Sequence, residues 1–152
     1  MIAKKRNLGW LALRHVIAVF FFVLGLQASA DESGDLENLS QLEWEHRILV
    51  LWSQSPQQDY EIIFASNKNE IDDRDMILFV LDESVLVTNY EDRLGSDLLE
   101  KIKARFPKTE GNYVLIGKDG GVKLRGEMLD INNVFGEIDL MPMRQLEIQN
   151  RR

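Results

Sequence analysis

The sequence contains no cysteine. That absence excludes a disulfide framework, thiol nucleophiles and lipid attachment through sulfur. A thiol oxidoreductase or peroxidase is ruled out with them. Histidine is scarce too, with two in 152 residues. His15 falls in the N-terminal apolar region, so His46 is the one imidazole in the rest of the chain. Proline occurs three times, at Pro56, Pro107 and Pro142, each bordering an apolar or periodic segment. An excess of basic charge is also missing. Eighteen basic and 25 acidic residues give a formal charge of −7. Nucleic acid and anionic membrane surfaces require a basic footprint, so neither is an expected partner. Asp72, Asp73 and Asp75 lack the alternating ligands and glycine of a calcium loop. His46 has no partners at zinc spacing. No metal and no cofactor is expected.

The N-terminus has the layout of a secretory signal peptide. Lys4, Lys5 and Arg6 precede an apolar run from Val16 to Leu26, and Ala28-Ser29-Ala30 follows in the small-residue cleavage pattern. That run of eleven residues is short of the roughly 20 that a spanning helix needs. Residues 1–30 are therefore read as a signal peptide cut between Ala30 and Asp31, leaving no stable membrane anchor. Cleavage would remove four basic residues and no acidic one, leaving 122 residues with 14 basic against 25 acidic, a charge of −11. The expected location is secreted or periplasmic.

Residues 31–38 (DESGDLEN) read as a flexible acidic leader, and residues 39–147 as the folded domain. Ser40 and Glu43 suggest a capping box for a short helical turn at Leu39 to Trp44. Arg47 to Ser53 and Met76 to Leu81 are continuous apolar runs without polar alternation, the pattern of strands buried on both faces. Between them Asp59 to Asn69 reads as a helix after a loop at Gln54 to Gln58. Ile71 to Asp75 is read as a connection, and Asp82 to Asp92 as a loop. Leu98, Leu99, Ile102 and Phe106 share one face of a helix over Asp97 to Phe106. Tyr113 to Gly117 and Val122 to Arg125 flank Lys118-Asp119-Gly120-Gly121, a strong hairpin signal. Ile131, Val134, Phe135 and Ile138 mark a further helix. Residues 144–152, including a terminal stretch at 148–152, read as a polar tail. The order β-α-β-α-β-β-α predicts an α/β fold, a thioredoxin-like sandwich with a mixed sheet of about four strands and helices on both faces.

Particular segments carry a family resemblance. They are Trp44-Glu45-His46-Arg47, Arg74-Asp75, the run Leu115 to Lys123, and Ile138-Asp139 with Met141-Pro142-Met143-Arg144. Together they resemble a thioredoxin-like domain of unknown function found in bacterial secreted proteins. Animal extracellular proteins with sushi repeats carry a similar domain near their C-termini. The resemblance spans Leu39 to Glu147 and implies no settled activity.

A thioredoxin-type site would fall at Trp52 to Gln57, where the chain offers hydroxyls in place of thiols. Ser53 or Ser55 would need a base. His46 lies at the other end of the first strand, about 23 Å away in extended chain. The proline expected near Asn112 is absent. Lys118, Lys123 and Arg125 cluster on the hairpin and, with Arg144, form the candidate binding surface for a protein or a small anionic ligand. The competing assignment is a solvated face that protects a sheet edge. Arg47, Arg74 and Arg144 also suit ion pairs that fix strand ends to the C-terminal segment. Met141 and Met143 could plug the core or form an adaptable contact surface. The resulting expectation is a non-catalytic binding or interaction domain. The alternative is an enzyme with non-thiol chemistry at Ser53 to Gln57.

Overall fold

The computed structural model of the chain describes residues 34–151. The signal segment and the Ala30–Asp31 junction lie outside the described residues. Five strands form one mixed sheet: β1 (Arg47–Trp52), β2 (Met76–Leu81), β3 (Leu86–Thr88), β4 (Tyr113–Ile116) and β5 (Val122–Gly126). Their order across the sheet is β3-β2-β1-β4-β5. β1 and β2 are parallel, with Val50 opposite Phe79, and every other pairing is antiparallel. Four α-helices are present among the described residues: α1 (Pro56–Asp73), α2 (Leu98–Arg105), α3 (Ile131–Asp139) and α4 (Pro142–Asn150).

The unbroken apolar runs of β1 and β2 place both strands in the middle of the sheet. All six residues of each are buried. Alternation sends them to two cores. Ile48, Val50 and Trp52 pack with Ile77 and Phe79 against Leu98, Ile102 and Phe106 from α2 and its end. Leu49 and Leu51 pack with Leu78 and Val80 against Ile71 of α1 and Val134, Phe135 and Ile138 of α3. Helices thus cover both faces, as the sequence implies. Each fully buried side chain of this size contributes roughly 1.5–3 kcal/mol.

The sheet has five strands rather than about four. β3 occupies part of Asp82 to Asp92, where acidic flanks had favoured a loop. It pairs with β2 through three residues. Beyond it, the amide of Asn89 accepts from the Leu78 N–H at 2.7 Å and donates to the Met76 carbonyl at 3.0 Å. A side chain therefore continues the ladder where the backbone stops.

Three boundaries also differ. α1 starts at Pro56, whose missing N–H is harmless in a first turn, and runs on to Asp73 through the segment expected to be a connection. It is irregular at Asn67, whose side chain donates to the Ile63 carbonyl at 2.8 Å. The acidic leader is not wholly free. Leu36 is buried in the first core and forms a bridge with Leu94. Residues 144–150 form most of α4 rather than a tail.

Candidate functional site

β1 has a functional candidate at each end. At its C-terminal end the chain passes through Trp52 and Ser53 into α1. The Trp52 indole N–H donates to the Phe106 carbonyl at 2.9 Å, which fixes the ring in the core. The Ser53 hydroxyl donates to Asp59 Oδ2 at 2.5 Å and accepts from the Ser55 backbone N–H at 2.8 Å. Both bonds are local, across six residues and two. They make Ser53 part of the turn that starts α1. His46 precedes β1 and Ser53 follows it, so the strand separates the two. Beside Asn112, near which the sequence lacks a proline, Gly111 takes φ +125°. A side chain there would be strained.

The N-terminal end of β1 is where charge gathers. Arg47 is the first residue of the strand and is fully buried. Its Nη1 donates to the Arg74 carbonyl at 2.8 Å, and its two Nη groups reach the Glu147 carboxylate at 3.2 and 3.1 Å. Its Nε is buried with no partner. A buried donor without an acceptor costs about 1–3 kcal/mol.

Arg74 lies beside it, with Asp139 at 2.6 Å, Glu70 at 2.5 Å and the Phe135 ring 4.7 Å beneath its guanidinium. Arg144 pairs with Asp73 and with Asp139 and donates to the Asp73 carbonyl at 2.7 Å. These three arginines join strand ends to the C-terminal segment by ion pairs, as one of the sequence-based assignments holds. Arg144 is the buried residue of α4. The helix is held by charge where α3 is held by an apolar face.

The carboxylates respond accordingly. The hydrogen bond from Arg144 holds Asp73 below the usual carboxylate range, against a smaller upward push from burial. Burial pushes Glu147 up, but hydrogen bonds from Arg47 and Lys118 outweigh it and hold the carboxyl low. Both groups are stabilised in their charged form.

The hairpin stands over this end. Gly117 N–H donates to the Gly121 carbonyl at 2.9 Å and Gly120 N–H to the Gly117 carbonyl at 3.0 Å. Gly120 takes φ +71°, which only glycine adopts without cost. Asp119 accepts from the Gly121 N–H at 3.1 Å, closing the turn.

The basic candidates on the hairpin all have acidic partners. Lys118, with its side chain 10% exposed, pairs with Asp75 at 2.8 Å and Glu147 at 2.9 Å. Lys123 pairs with Asp119 at 2.7 Å, and Arg125 with Glu110. The structure separates the set. Lys118 joins the Arg47–Glu147 network, and Arg144 reaches the same network through α4. Lys123 is the second residue of β5 and pairs back onto the turn through Asp119. Arg125 lies elsewhere, 5.8 Å from the Phe106 ring.

A cleft of about 320 Å³ opens between the hairpin turn and the α3–α4 junction. Arg47, Lys118 and Lys123 line it together with Leu140, Met141 and Met143. Asp119 and Glu137 are also on its wall. Met141 packs in part against the second core, while Met143 and Leu140 are exposed. The two methionines thus combine the core role and the surface role. Sequence reasoning missed Glu147 and Leu140, ordinary residues on a helix or at its end that no local pattern marks, and it found Asp139 only within the resemblance, without its arginine partners.

Among the described residues, no group of three or more His, Asp or Glu side chains could hold a metal ion. No described helix is long and apolar enough to cross a membrane.

Fold and site together define a cysteine-free mixed α/β domain whose last helix is clamped by ion pairs beside a partly cationic cleft. Residues 38–147 match the family described as a domain of unknown function (DUF4174), and the chain belongs to that family. No curated protein and no solved structure matches the chain.

Proposed function

We propose that the protein is an exported, non-catalytic binding domain with a thioredoxin-like fold, whose ligand occupies the cleft at the N-terminal end of β1. The parallel β1–α1–β2 unit, followed by antiparallel β4 and β5, supports the thioredoxin-like reading. The signal-peptide pattern of residues 1–30 supports export to a periplasm or the exterior. One contrast carries the binding reading. Ser53, at the position of a redox thiol, is tied into its own turn. Lys118 and Lys123, at the opposite end, line an open cleft with exposed apolar neighbours. Pockets that join apolar walls to a few polar groups are the usual form of a small-molecule site.

The test is amide chemical-shift mapping of the purified, isotope-labelled protein against a panel of inorganic anions, carboxylates, apolar alcohols and short peptides. The reading expects at least one class to shift amides of residues 117–123 and of Leu140, Met141 and Met143. Shifts confined to residues 53–57, or ester hydrolysis that disappears in Ser53→Ala, would replace binding at the cleft by chemistry at the α1 turn.

A further inference from the structure

We propose that the cleft takes a monocarboxylate with an apolar body, supplied either as a short acyl chain or as an apolar C-terminal amino-acid residue. This rests on the binding reading above and names the ligand class for the same cleft. The first observation is the set of donors left over. The Lys118 ammonium has three protons and two carboxylate partners, Asp75 and Glu147. Lys123 has one, Asp119. Arg47 gives both Nη groups to Glu147, while its buried Nε has no acceptor. A two-oxygen anion in the cleft meets the spare protons of Lys118 and Lys123, whereas the Arg47 Nε is enclosed.

Charge then sets the valence. Every cation of the cleft already faces a carboxylate, and Asp75, Asp119, Glu137 and Glu147 outnumber Arg47, Lys118 and Lys123, so no net positive potential remains. Asp119 and Glu137 stand on the same wall. A second negative charge on the ligand would be repelled by both, whereas a single carboxylate is carried by direct hydrogen bonds from the spare lysine protons. The cleft therefore favours a carboxylate over a phosphate dianion.

The rest of the lining calls for an apolar body. Leu140 is 75% exposed and Met143 36% exposed, beside Met141 and Pro142. Unbranched methionine side chains adapt to irregular apolar shapes. They come from the α3–α4 junction, while Lys118 comes from the hairpin turn and Lys123 from the start of β5. A ligand spanning both has its charge at one end and its apolar part at the other. At about 320 Å³ the cleft is near the lower limit of small-molecule sites, which suits a compact ligand.

Isothermal titration of the purified protein with octanoate, N-acetyl-leucine, octanol and inorganic phosphate tests the assignment. Octanoate or N-acetyl-leucine should bind saturably, at least tenfold more tightly than octanol and phosphate. The tighter of the two identifies the source of the carboxylate. Lys123→Glu and Met143→Asp should each weaken that binding at least fivefold while the urea midpoint moves little. Phosphate binding as tightly as the carboxylates would overturn the single-charge assignment. Octanol binding as tightly would overturn the role of the cations. Failure of both carboxylates to bind would overturn the ligand class, and shift mapping with the wider panel would still decide whether the cleft binds anything. Unchanged affinity in both variants would place the ligand elsewhere.

Discussion

Glu147 and Arg47, 100 positions apart in the chain, meet in a two-pronged ion pair at 3.1 and 3.2 Å. The same carboxylate lies 2.9 Å from Lys118, which follows β4. One side chain on α4 therefore ties the start of β1 to the end of β4. α4 has little apolar burial of its own to hold it in place.

Removing that carboxylate leaves a buried guanidinium short of charge. Breaking a buried pair by removing one partner costs about 3–5 kcal/mol, while replacing both partners by apolar groups is often neutral. Glu147→Gln should lower stability by about 3 kcal/mol, read as a fall in the urea midpoint. An Arg47→Met, Glu147→Leu double variant should recover most of the loss. A single variant with an unchanged midpoint would show that the pair does not hold α4.

Acid should act on the same clamp. Asp73 and Glu147 both have folded pKa values below their ordinary values. A carboxyl depressed in this way stabilises the fold fully above its unfolded pKa, about 4, and the contribution is lost as pH falls through the folded value. Stability should be level near neutrality and drop below about pH 4. The gap between the parent and Glu147→Gln should narrow over the same range, because protonation removes the charge that the substitution removes. Urea midpoints measured from pH 7 to pH 3 check both statements. A gap that stays constant would separate Glu147 from the acid response.

How much of this was legible depends on the range of the signal. β1, β2 and β4 are written as local apolar runs, β5 as the alternation of Val122, Lys123, Leu124 and Arg125, and Gly120 marks the hairpin turn. α3 is written in the spacing of Val134, Phe135 and Ile138. β3 is three residues long and is extended by a side chain, so no run announces it. α4 has no apolar stripe, because Arg144 is its anchor. The site shows the same division. Lys118, Lys123, Arg125 and Arg144 stand out as basic residues in an acidic chain. Apart from Asp119, four residues from Lys123, their partners do not, since Asp75 lies 43 residues from Lys118 and Asp73 lies 71 from Arg144. Only the fold decides which carboxylate each cation meets.

Leu36 tests whether the acidic leader belongs to the folded unit. It is buried among Leu39, Leu42 and the α2 face, and its backbone bonds to Arg93 and Gly95 at 2.8 and 3.0 Å. Leu36→Ala should cost about 2–5 kcal/mol, the usual range for a buried leucine. Thermal unfolding of the variant checks this. A loss below about 0.5 kcal/mol, the size of an exposed substitution, would return the segment to the status of a free leader.

Ser53 decides whether the first turn of α1 is chemistry or architecture. Its hydroxyl is the acceptor for the Ser55 N–H and the donor to Asp59, so Ser53→Ala leaves both partners without it. Asp59 can turn to water because its bond is only partly buried, which limits the loss. The expected cost is about 1 kcal/mol, near that of a lost helix-capping interaction. Ligand affinity at the cleft should stay within twofold, since β1 separates the two ends. A fall in cleft affinity with unchanged stability would instead couple the turn to the binding site, and the urea midpoint measured beside the titration distinguishes the two outcomes.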